Sequence, residues 1–256
     1  IQTFYDTKDI GDFPERLKPI SVHCALTNRN DVIGFNDIFN HLTLLNLAVY
    51  APVSYILASR LAKYEARYDT DVSTGGAKLK QVDREKSLKR LMTINLLKRL
   101  ESSVHSFRLT LEGLRDNHQR TLQSIISFQQ QGDATVADVE IEDIASGFNN
   151  IEFDDDEMPD IDEAFSTGGK IKINLADMDL VRWEHDLSAD LWIIEELLNE
   201  MQKVSPADDT KLQHLKTQIE SKLASPINAG NKKVLIFTAF ADTANYLYEQ
   251  LSHYFL

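Results

Sequence analysis

Nine apolar residues, Leu88, Leu91, Ile94, Leu97, Leu100, Val104, Phe107, Leu111 and Leu114, recur at steps of three and four. This pattern constrains the chain more than any other feature, because only an α-helix, at ~3.6 residues per turn, brings such positions onto one side. The pattern continues toward Leu122 and Ile126, with Gly113 read as a flaw or bend within it. One apolar stripe cannot bury itself, so other helices must cover it. Leu180, Trp183, Leu187, Leu191, Ile194, Leu198 and Met201 form a second stripe, in a helix that Asp177 is expected to cap. Core packing is the expected role of Trp183, which lies on that stripe. Leu212, Leu215, Ile219 and Leu223 form a third stripe after a turn at Pro206. Earlier in the chain, Asn36 or Asp37 opens a predicted helix to about Val49, and Pro52 opens the next, to about Tyr68.

Only two stretches read as strands. "PISVHCALT", Pro19 to Thr27, is short and contains β-branched residues, and Val234 to Phe237 are four consecutive apolar residues. The expected fold is therefore mainly α. It is a helical insertion or bundle with a small, incomplete parallel α/β element made by strands near 20–26 and 233–238. The chain divides into an N-terminal segment with an edge strand (1–30), a first helical part (31–130), an acidic loop (131–170), a second helical part (171–226) and a closing strand–helix unit (227–256).

The formal net charge of −13 conceals a polarised chain. Asp133 to Glu163 holds thirteen acidic residues and no Lys or Arg, which equals the whole net charge. Lys78 to Arg120 holds eleven basic residues against five acidic ones. The acidic segment has no helical period, contains Gly and Pro, and reads as a mobile insertion. No run approaches the ~20 apolar residues of a membrane span, so no membrane partner is expected. With no export signal visible, the cytosol is the expected compartment. The single cysteine, Cys24, lies among Val22, Ala25 and Leu26 and reads as a buried structural thiol.

Two fragments imitate nucleotide-binding motifs without their chemistry. "STGGKIK" has Ala164 where a phosphate loop needs its first glycine and Ile171 where it needs a hydroxyl for magnesium. "DIDEAF" carries Asp162-Glu163 but has no apolar strand to aim the carboxylates. The seven histidines do not cluster at metal-ligand spacing, no nucleophile arrangement is recognisable, and neither catalytic nor metal-binding residues are assigned.

Three stretches resemble one family. "TKLQHLKTQIESKL" followed by "NKKVLIFTAFADTANYLYEQL" is similar to the entry to the second RecA-like domain of superfamily-two helicases of the Swi/Snf-like group. Lys211, Leu212 and Leu215 match its helix. Lys233 to Phe240, with Asp242 and Thr243, match the strand and turn of motif IV. "FPERLKPISVHCALT" is similar to the family's crossover segment, and "LMTINLLKRLESSVHSFRLTLEGL" resembles a helix of bacterial members. The resemblance implies a fragment of an ATP-dependent DNA helicase or translocase. It would span the start of the second motor lobe and the helical insertion interrupting it.

Under that resemblance, Thr238, Phe240 and Thr243 of the motif IV turn contact nucleic-acid phosphates, and Lys98, Arg99 and Arg108 of the basic helix add contacts. DNA is expected in preference to RNA. ATP and magnesium belong to the parent protein and no cofactor to this fragment. The phosphate loop, metal-binding box and arginine finger are missing here, so the fragment is expected to be inactive alone. Its further partners would be the first RecA-like lobe and the rest of the second. Two other readings stand beside this one. The chain is a helical protein-interaction module, or its acidic segment is a regulatory element that competes with nucleic acid for the basic surface.

Overall fold

The structure, a computed structural model, describes residues 16–71, 78–79, 81–131, 138–140 and 172–255. The described chain is mainly helical, as the stripes require. In order, its helices are α1 (Phe35–Leu44), α2 (Ala58–Tyr68), α3 (Gln81–Ser102), α4 (Val104–Gln131), α5 (Leu180–Gln202), α6 (Thr210–Ala224) and α7 (Ala241–Phe255). Two short antiparallel pairings accompany them: β1 (Thr70–Asp71) with β2 (Lys78–Leu79), and β3 (Asp138–Glu140) with β4 (Lys172–Asn174). β3 falls inside the segment expected to be a loop; the rest of Asp133–Glu163 lies outside the described residues, as do residues 1–15, which include Phe13 to Glu15 of the crossover match.

The two longest stripes meet. α4 packs most extensively against α5 and next against α3, burying Phe107, Leu111 and Ile125 with Trp183, Leu187, Ile194 and Leu197. Trp183 is fully enclosed and its indole N–H donates to Ala48 O at 3.1 Å, which satisfies the ring's one polar atom. At the far end of α4 it is Ile125 that faces the core, whereas Ile126 is exposed. The helix runs unbroken through Gly113, where a Cβ would meet nothing.

Several expected boundaries move, each for a local reason. The single long helix is two, broken at Ser103. The Ser103 hydroxyl accepts from Ser106 N at 3.0 Å and caps α4. α1 stops at Leu44 because Leu47 turns left-handed (φ 49, ψ 46) and the chain passes into a 3₁₀ turn, Ala48–Tyr50. A second 3₁₀ turn, Pro52–Tyr55, precedes α2. Between it and α2, Ile56 bridges Met178, and Leu57 N donates to Asp177 O at 2.9 Å. Those bonds occupy the backbone that a continuous helix would need. The cap of α5 is Asp179, which accepts from Arg182 N. Asp177 instead receives Lys63 Nζ at 2.9 Å and the Tyr64 hydroxyl at 2.8 Å. These bonds, Lys63 first, hold its carboxyl below the usual carboxylate range.

Neither expected parallel strand forms a ladder. Residues 20–26 and 233–238 are irregular, and Ile20, Val22, Leu235 and Phe237 are exposed, Phe237 by 90%. A strand exists through its neighbours' hydrogen bonds, and no described segment supplies them here. Cys24 is also exposed, in contrast to the buried thiol expected, because the strand that would have enclosed it does not form.

The interior holds acidic side chains. Asp190 is wholly buried. Its two oxygens accept Asn46 N at 2.6 Å and Ala48 N at 2.8 Å, and His118 Nε2 lies 3.5 Å from Oδ2. This carboxylate offsets the strain of left-handed Leu47, roughly 1–2 kcal/mol for a residue with a side chain. On α3, Glu85 is 1% exposed and accepts Val53 N at 3.1 Å through Oε1. Its second oxygen has no hydrogen-bond partner. Burial pushes the Glu85 carboxyl up to about 8.

A carboxyl that binds its proton more tightly folded than unfolded stabilises fully below the unfolded value of 4.5 and loses that contribution as pH rises through about 8. Glu85→Gln, which cannot ionise, should match the wild type near pH 5 and exceed it increasingly toward pH 8. The difference should grow by up to ~1.4 kcal/mol per pH unit. Urea melts of both proteins across that range check it, and parallel curves would reject it.

Candidate nucleic-acid interface

Two stretches far apart in sequence, the adjoining ends of α3 and α4 and the start of α7, converge on the break at Ser103. α3 contributes Arg99 and Ser102, α4 contributes His105, Ser106 and Arg108, and α7 with its preceding turn contributes Phe240, Asp242, Thr243 and Tyr246. Arg99 is the centre. Although 2% exposed, its guanidinium donates to Asn95 Oδ1 at 3.2 Å, Ser106 Oγ at 3.1 Å and Asp242 Oδ2 at 2.6 Å. It also lies over the Phe240 ring, 4.7 Å from the centroid. A planar cation with several donors suits such a place, since it can satisfy carboxylate, amide and hydroxyl together and still stack.

Thr243, 4% exposed, completes the contact. Its hydroxyl hydrogen-bonds with Ser102 Oγ at 2.8 Å and Ser103 Oγ at 3.1 Å. One turn further along α7, Tyr246 stacks on His105 (centroids 4.8 Å apart, planes 10° apart) and donates to Asp209 Oδ2 at 3.0 Å. Asp209 in turn caps α6 by accepting Leu212 N through its other oxygen. Burial, then Asp209, pushes the Tyr246 phenol up. Burial, then Arg108, pulls the His105 imidazole down. Lys211, at the start of α6, donates to Glu101 O at 2.7 Å and Ser102 O at 3.2 Å. It thereby caps the last carbonyls of α3, where a cation is favoured by the helix dipole.

Of the six residues expected to contact nucleic acid, Arg99, Phe240 and Thr243 are brought together and enclosed by one another. Arg99, Phe240 and Thr243 are each no more than 5% exposed. Thr238 is partly exposed and its hydroxyl accepts from Phe240 N at 3.4 Å, shaping the turn. Lys98 is exposed on α3, one residue from Arg99 but on its outer side. Arg108 is partly exposed, donates to His105 Nδ1 at 3.3 Å and lies 4.0 Å from Glu112. The residues the sequence does not point to are Ser102, Ser103, Ser106 and Asp209. Small polar residues look like surface until the helix break turns them inward. Only the run "ESS" after a leucine stripe hints at a cap.

No group of three or more His, Cys, Asp or Glu residues among the described positions is arranged to hold a metal ion. No helix there is long and apolar enough to cross a membrane. In comparison with known proteins, the chain matches no family model, no curated protein and no solved structure.

Breaking one side of a buried ion pair strands the other charge, at a cost of ~3–5 kcal/mol. Asp242 keeps a third of its side chain in water, so the loss should lie near the lower end of that range. Asp242→Ala should destabilise by about 3 kcal/mol, and Asp242→Ala on an Arg99→Met background by much less. Denaturant melts of the two single variants and the double variant measure this coupling; additive effects would exclude it.

Proposed function

We propose that this chain is part of the second motor lobe of an ATP-dependent, Swi/Snf-like DNA helicase or translocase, joined to the helical block that interrupts that lobe. The observation that carries the reading is the state of Val234–Phe237. Four consecutive apolar residues suit a strand buried on both faces of a parallel sheet, yet here they lie unpaired and largely exposed, with Leu235 83% accessible. α7 follows as the helix of such a strand–helix unit. It uses one face, Phe240, Thr243 and Tyr246, against the helical block and leaves Tyr248 in solvent. A strand and helix presenting apolar surface in this way fit a sheet supplied by further sequence. The joint at Ser103 supports the same reading, because it unites residues from all three helical matches, namely Arg99, Lys211 and Thr243.

The nucleic-acid contacts of this reading that keep access to solvent are Lys98, Arg108 and Thr238. ATP and magnesium belong to the parent motor. Ala164 and Ile171 do not fit a phosphate loop. The purified chain should bind single-stranded or duplex DNA weakly and with strong salt dependence. Lys98→Ala and Arg108→Ala should each weaken it and lower the slope of log affinity against log salt by about 1. Fluorescence anisotropy at several salt concentrations measures this. Unchanged affinity and slope in both variants would reject the assignment, and DNA-stimulated ATP hydrolysis by the chain alone would reject its reading as an incomplete motor.

Exposed Leu235, Phe237, Tyr248 and Trp192 favour a second reading, a helical interaction module. Concentration-dependent self-association in sedimentation, together with no DNA binding at low salt, would select it.

A further inference from the structure

On the nucleic-acid reading above, we propose that the Arg99 joint is an autoinhibitory clasp. The helical block holds the turn before α7 closed, and separation of α7 from the α3–α4 break exposes the groups that engage a phosphate.

The residues that would meet a phosphate are already occupied by protein. The Thr243 hydroxyl is shared by Ser102 and Ser103. The Phe240 ring is covered by the Arg99 guanidinium and is 5% exposed. The Asp242 carboxylate pairs with the Arg99 guanidinium at 2.6 Å. A phosphate approaching this turn would have to displace Arg99 from Asp242 or pass two serine hydroxyls. Neither route is open while α3, α4 and α7 remain in contact.

The composition of the joint also suits an interface that opens. It consists of an ion pair, hydroxyl pairs, a cation over a ring and a stacked imidazole–phenol pair. Polar contacts of this sort exchange for contacts with water at little net cost, unlike the apolar seam between α4 and α5. α7 packs most against α4. Its other ties are polar as well, Tyr246 to Asp209, Tyr254 to Glu220 and Lys216 over the Tyr254 ring, and the preceding Val234–Phe237 has no ladder among the described residues.

The Ser102 and Thr243 hydroxyl oxygens are 2.8 Å apart. Cysteines at these two positions are therefore within reach of a disulfide after a small shift. In a Cys24→Ser background, Ser102→Cys with Thr243→Cys gives a clasp that oxidation locks and reductant frees, without removing a charge. Binding of labelled single-stranded and duplex oligodeoxynucleotides at low salt is the readout. The clasp predicts at least tenfold weaker binding by the oxidised than by the reduced double variant, the reduced form being the reference because both lack the Thr243 hydroxyl. It also predicts that Arg99→Met binds more tightly than wild type. Loss of a cation by itself can only weaken attraction to phosphate, so a gain identifies release. Equal binding by the locked and reduced forms, or weaker binding by Arg99→Met, overturns the clasp while leaving the nucleic-acid reading standing. Absence of binding in every form overturns both.

Discussion

A buried guanidinium at a helix break organises the C-terminal half of this molecule. Arg99 lies almost without solvent at the end of α3, where a charge survives only if its donors are met. Asn95 meets one from within the same helix, Ser106 another from the start of α4, and Asp242 the third from α7. The break at Ser103 is the precondition, because a continuous helix would carry Ser106 away from Arg99. With the break in place, Lys211 can reach the exposed carbonyls of Glu101 and Ser102, which fixes where α6 begins. Asp209 at the cap of α6 then receives Tyr246 from α7. Three helices are positioned by polar groups that would be costly to leave unpaired.

The N-terminal half depends on carboxylates in a similar way. Asp190 takes the amides on both sides of left-handed Leu47, and Glu85 takes the amide of Val53 in the following 3₁₀ turn. These two side chains, from α5 and α3, anchor the 48–55 turns between the long helices. Lys89, half-buried and pulled down by burial, feels the opposing fields of Asp190, Glu85 and Asp186. The apolar core around Trp183 and Phe107 supplies most of the burial. The carboxylates decide which backbone path crosses it.

The same joint bears on function in two directions. It draws together the helical stretches that resemble a motor lobe and its insertion, which gives the resemblance a physical meeting point. It also withdraws Arg99, Phe240 and Thr243 from solvent, leaving Lys98, Arg108 and Thr238 as the accessible part of the expected contact set. Electrostatic attraction to a phosphate chain needs only the accessible cations. On the proposed reading, engagement by the turn itself needs the joint to open.

Periodicity was enough to reveal the mainly helical class, the apolar faces of α4, α5 and α6 and the burial of Trp183, because side-chain spacing and the helical repeat are both local. It could not reveal that α3 also buries Glu85, Asn95 and Arg99, since a stripe of leucines says nothing about polar residues that find partners on other helices. The motif at Val234–Phe237 was legible as strand chemistry, but a strand is completed by neighbours, and residues 233–238 have none among the described residues. The sequence by itself therefore determined which residues avoid water and which helical faces they form. Only the tertiary structure decided that the helix breaks at Ser103, that Asp179 rather than Asp177 caps α5, and that Arg99, Phe240 and Thr243 close on each other. Each of those outcomes depends on a hydrogen bond or ion pair across the fold, which no local pattern encodes.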